Sequence, residues 1–107
     1  MIGVHSMLKY WTDYLSLNDW NIELEEVDPE AVTYDSDVPE GKRYYIGVWY
    51  NTEEKHAVIY HDRPLDDESM VHELLHVAYP DMTEEGINRL TEFILIINNK
   101  ENNEQIF

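Results

Sequence analysis

The order of hydrophobic periodicities along the 107 residues predicts an α+β domain. The expected architecture is an N-terminal helix, a small, mainly antiparallel sheet of three or four strands, and two helices packed on one face of it. Three observations carry this. A one-sided apolar stripe at helical spacing opens the chain, short alternating or β-branched segments bounded by turn residues follow, and two further helical stripes close it. An apolar fraction of 43% with 12% aromatics is rich enough for a packed core. The length suits a single domain over 1–107.

Val4, Met7, Leu8, Trp11 and Leu15 recur at i, i+3, i+4, i+7 and i+11, the stripe of an amphipathic helix that ends near Asn18. Trp20, Ile22 and Leu24 then alternate with Asn21, Glu23 and Glu25, as in a half-buried strand. Residues 28–43 form an acidic loop with turn signals at Pro29 and Pro39-Glu40-Gly41, and Ala31 to Tyr34 is a candidate fourth strand. Tyr44–Tyr50 and Lys55–His61 are rich in aromatic and β-branched residues and are separated only by Asn51–Glu54, a hairpin length. Asp62 to Asp67 stops the second of these strands, and Asp66 or Asp67 caps the next helix. That helix carries Val71, Leu74, Leu75 and Ala78 on its inner face. Tyr79–Met82 turns the chain, Thr83 caps a last helix, and Ile87, Leu90, Phe93, Ile94 and Ile97 are expected to face inward there. Residues 98–107 read as a polar, fraying tail. Trp11, Trp20 and Trp49 read as core aromatics.

Charge narrows the partners. Seven Lys and Arg face 23 Asp and Glu, a formal charge of −16. Affinity for phosphate backbones comes mostly from cationic side chains that displace counterions, so a nucleic-acid ligand is not expected. An anionic membrane surface is disfavoured for the same reason. No apolar segment approaches the roughly 20 residues that span a bilayer. The first residues lack the basic and apolar pattern of a secretory signal, so the expected location is cytoplasmic. With no cysteine, any metal must be held by His, Asp or Glu.

Such a set occurs at His72-Glu73-Leu74-Leu75-His76. At about 100° per residue, His72 and His76 sit one turn apart on one side of a helix, so both imidazoles reach one ion. Glu73 stands beside them, near enough to contact a water on that ion, while the apolar stripe anchors the opposite side in the core. This is the H-E-x-x-H arrangement of zinc metallopeptidases. In it the histidines hold one Zn²⁺, the ion acidifies water, and the glutamate takes the proton. A catalytic zinc needs a third protein ligand. No histidine follows His76, which leaves carboxylates. Glu84 and Glu85 open the last helix, eight and nine residues later, and a tight turn brings that helix start back toward His76. Acids there also suit the helix dipole, and helical angles place both at the flanks of the apolar stripe.

His72 to His76 followed by Glu85-Gly86-Ile87-Asn88-Arg89 resembles the gluzincin pattern, whose third zinc ligand is a helical glutamate. The likeness is nearest to minigluzincins and to small phage-type metallopeptidase-like proteins, which resemble this chain in a Trp-x-Ile strand (Trp20-Asn21-Ile22), a hairpin, the H-E-x-x-H helix and a glutamate-bearing helix. The resemblance implies a minimal zincin-like fold, with His72, His76 and Glu85 as zinc ligands, Glu84 as the alternative, and Glu73 as general base. It also implies that the strand before the zinc helix, Lys55–His61, is the edge along which a peptide or protein substrate lies. The aspartate that gluzincins often place four residues after the ligand glutamate would be Arg89.

Tyr60, His61 and Tyr79 are candidates for stabilising an oxyanion or contacting substrate. The expected function is that of a small zinc-dependent peptidase or amide hydrolase. The alternative is an acidic, non-catalytic binding protein, either a mimic of DNA charge or a degenerate zincin that holds a peptide without cleaving it.

Overall fold

The computed structural model describes residues 3–28 and 46–104; the candidate strand at 31–34 and most of the acidic loop lie outside them. In chain order the elements are α1 (Val4–Tyr14), β1 (Asn21–Glu26), β2 (Ile46–Asn51), β3 (His56–His61), α2 (Asp67–Ala78) and α3 (Glu84–Glu104). Among the described residues, three helices and a three-stranded sheet make the α+β fold that the periodicities predict.

α1 ends in a reciprocal pair of backbone bonds, Leu17 N to Thr12 O and Ser16 N to Asp13 O, with Ser16 in the left-handed region at φ 59°. This Schellman arrangement satisfies carbonyls that the helix end would orphan. The chain then turns into β1. β2 and β3 form the expected antiparallel hairpin, closed at Lys55 with φ 52° and by a bond from Glu54 N to Asn51 Oδ1.

β1 joins the other side of β3 and runs parallel to it, giving the order β1-β3-β2. The sheet is therefore mixed rather than mainly antiparallel. Alternation in β1 sets which face of the strand is apolar but carries no signal for partner or direction. Being central, β3 buries three consecutive residues, Ala57, Val58 and Ile59.

The register places Ile22, Leu24, Val48, Tyr50, Ala57 and Ile59 on one face, and all of them belong to or pack against a single core with Trp11, Met70, Val71, Leu74, Leu75 and Ile87. The Trp11 indole N–H also donates to Asp67 Oδ1 at 2.8 Å, tying α1 to the start of α2. Trp49 lies on the opposite face and is 48% exposed, so of the three tryptophans it is not a core residue.

Asp66 caps α2 by accepting from Ser69 N at 2.8 Å, and Thr83 Oγ1 accepts from Gly86 N at 3.1 Å at the start of α3. Asp66→Ala is expected to cost about 1 kcal/mol. For a domain of this size that lowers Tm by roughly 4–8 °C, readable in a thermal melt.

α3 departs from expectation in two ways. Phe93 is 61% exposed instead of facing inward. The inner face runs through Ile87, Thr91, Ile94 and Asn98, with the Thr91 hydroxyl donating to Ile87 O and the Asn98 amide donating to the Tyr10 hydroxyl. Nor does the helix end at Asn98: it continues to Glu104, because a buried, hydrogen-bonded Asn98 carries it past the apolar stripe. Among the described residues no helix is long and apolar enough to cross a membrane.

Candidate metal centre

α2 divides cleanly around its axis. Taking about 100° per residue, Glu68, His72, His76, Ser69 and Glu73 fall within an arc of about 140°, and Met70, Val71, Leu74, Leu75, Val77 and Ala78 occupy the other side. The second set is packed into or against the core. The first set lines a cleft of about 660 Å³, whose other walls are Ile46, Gly47, Val48 and Tyr50 of β2 and Glu84 and Asn88 of α3. The core stripe fixes the rotation of the helix, and that rotation aims the two histidines.

His72 Nε2 and His76 Nε2 lie 3.3 Å apart. Glu84 Oε1 is 2.8 Å from His72 Nε2, and Glu84 Oε2 is 3.1 Å from His76 Nε2. Three donor atoms thus converge on one point, and among the described residues they form a group that could hold a metal ion. Ligand atoms 2.0–2.1 Å from a tetrahedral ion stand about 3.3 Å from one another, so the His–His separation already matches. The two carboxylate contacts are slightly shorter, as expected of direct hydrogen bonds. Two nitrogens and one oxygen form a donor set that suits zinc.

Glu73 sits at the edge of the polar arc beside the core. It is only 6% exposed, lines the same cleft and accepts no hydrogen bond from the described residues, its oxygens opening to the cleft rather than being sealed in the core. Burial pushes its carboxyl up to about 7, with the negative charge of Glu84 adding to the effect. A carboxyl poised near neutrality beside a trio that could hold a metal is the arrangement a general base needs.

Of the two glutamates open at the level of sequence, Glu84 joins the histidines and Glu85 does not. Glu85 is directed to solvent, where it pairs with Arg89 at 2.7 Å. Four residues after Glu84 on the same face of α3, Asn88 also lines the cleft.

The three oxyanion candidates are not in the cleft lining. Tyr60 shares the far sheet face with Val58 and His56. His61 Nδ1 is engaged 2.8 Å from Arg63 O. Tyr79 ends α2 and is 49% exposed. Tyr50 and Asn88, not singled out from the sequence, line the cleft instead. The signal for Asn88 is its position one turn beyond Glu84; for Tyr50 it is the alternation of Ile46, Val48 and Tyr50 on one side of β2.

The strand expected to offer an edge is not an edge. Lys55–His61 cannot serve, because β3 has a neighbour on each side. Among the described strands, the edge strand beside the cleft is β2. No known family model, curated protein or solved structure matches this chain.

Proposed function

We propose that this protein is a small zinc-dependent peptidase or amide hydrolase. The observation that carries the reading is the convergence of His72 Nε2, His76 Nε2 and the Glu84 carboxylate within 3.3 Å of one another, beside a buried, unpartnered Glu73. His72, His76 and Glu84 would hold one zinc beside the cleft. When bound, zinc supplies a Lewis acid that acidifies water and polarises a carbonyl.

Glu73 takes a proton from the attacking water and returns it to the leaving nitrogen, the two halves of general acid–base catalysis. Its burial keeps the proton transfer out of bulk water. An extended peptide adds to the outer edge of β2, which no described strand occupies, through main-chain hydrogen bonds. Tyr50 and Asn88 offer donors to the oxygen that gains charge.

Metal analysis and peptide hydrolysis test this directly. The purified protein is expected to take up one zinc per chain, to melt at a higher temperature with zinc than with chelator, and to cleave peptides only when loaded. A protein that takes up no zinc, with an unchanged melting temperature, overturns the reading. One zinc per chain without cleavage of a broad peptide mixture would favour a zincin that binds peptides but does not cut them.

A further inference from the structure

The cleft contains one acidic side chain that the proposed chemistry does not use. Glu68 lies one turn before His72 on α2 and lines the same cavity. Its neighbours have structural work: Asp66 caps the helix and Asp67 accepts the Trp11 indole N–H. Glu68 has no ion pair or hydrogen bond with the described residues. A dication would balance Glu84 and Glu73, which leaves Glu68 as the uncompensated charge of the described lining, where no Lys or Arg is present. Glu73, 6% exposed and without a hydrogen-bond partner among the described residues, turns its carboxylate into the same cavity.

We propose that Glu68 is a specificity-determining residue that selects substrates carrying a lysine or arginine side chain next to the amide presented to the site. This rests on the hydrolytic reading above. One helical turn is about 5.4 Å, comparable to the distance from a scissile amide to the side chain of an adjacent residue in an extended peptide. A cationic side chain lying beside Glu68 is attracted, and an acidic one is repelled by Glu68 and by the carboxylates beyond it.

Phosphinic peptides, which place a tetrahedral phosphinate where the amide would be, give a binding readout that does not require turnover. Two series are needed, with Lys, Leu or Glu immediately before or immediately after the phosphinate. They are titrated calorimetrically into the zinc-loaded full chain. In one series the Lys peptide is expected to bind about tenfold tighter than the Glu peptide at low salt, a preference that shrinks at high salt.

Glu68→Gln should reduce that ratio to about threefold or less, and Glu68→Lys should invert it. A purely helix-stabilising Glu68 would change the melting temperature and leave the ratio intact. Equal binding of all three peptides in both series, or a ratio unchanged in Glu68→Gln, overturns the assignment while leaving the zinc site standing. Zinc uptake with no binding of any phosphinic peptide overturns the hydrolytic reading, and this inference with it.

Discussion

Glu84→Ala is expected to abolish tight zinc binding, whereas Glu85→Ala leaves it within about twofold of the wild type. The two residues are adjacent and chemically identical, so the comparison isolates geometry. Glu84 brings both carboxylate oxygens to the histidine nitrogens, at 2.8 and 3.1 Å. Glu85 makes an exposed pair with Arg89, an interaction worth about 0.3–0.5 kcal/mol at most. Removing an outer partner of a metal ligand costs roughly 10–100-fold in affinity, and removing the ligand itself should cost more than that. Competition titration with a chromophoric chelator reads both affinities. Equal loss in the two variants, or loss confined to Glu85→Ala, would refute Glu84 as the ligand.

Why the sequence left these two open is instructive. The histidines were legible because an i, i+4 spacing on a helix whose other side is unmistakably apolar leaves little freedom in where they point. α3 offered no such clarity. Counting Phe93 and Ile97 as inward rotates the apparent centre of its apolar stripe by roughly 60° from the direction defined by Ile87, Thr91, Ile94 and Asn98. Measured from that observed direction, Glu84 lies about 50° away and Glu85 about 150°. The distinction disappeared because two polar residues, Thr91 and Asn98, are buried with their hydrogen bonds satisfied, and hydrophobicity alone does not find such positions.

The sheet has a similar history. Each strand was visible in its own alternation, but the parallel attachment of β1 to β3 depends on pairing between segments 35 residues apart, Asn21 with His56. That pairing determines which strand is an edge. It moves the expected substrate edge from β3 to β2, and with it the polar residues that face the cleft.

Glu73→Gln separates the metal from the chemistry and sets stability against activity. Glutamine keeps the shape of the side chain and removes both its charge and its ability to take a proton. Zinc stoichiometry should be unchanged, while hydrolysis falls by about 10²–10⁴, the usual contribution of a positioned general base. Stability of the chelated protein should move the other way. In the unfolded chain this carboxyl titrates at its ordinary value of 4.5, and in the fold at about 7. Below pH 4.5 it is protonated in both states and costs nothing. Between the two values the folded state retains a proton that the unfolded state releases, so stability declines as pH rises. Above pH 7 both are ionised, and the fold bears the full cost of the buried charge, about 3 kcal/mol. Glu73→Gln lacks this decline. The difference in unfolding free energy between variant and wild type, from denaturant titrations in chelator, should therefore grow in the variant's favour from pH 4.5 to 8. Taking the difference cancels the titrating groups that do not interact with Glu73 and any fixed cost of burying an amide; Glu84, whose charge adds to the Glu73 shift, contributes to the same difference. Bound zinc should shrink the gap, because a nearby dication stabilises the ionised glutamate. A difference that is flat with pH would mean that Glu73 is not held as a costly buried charge. Retained hydrolysis in the variant would remove it from the reaction.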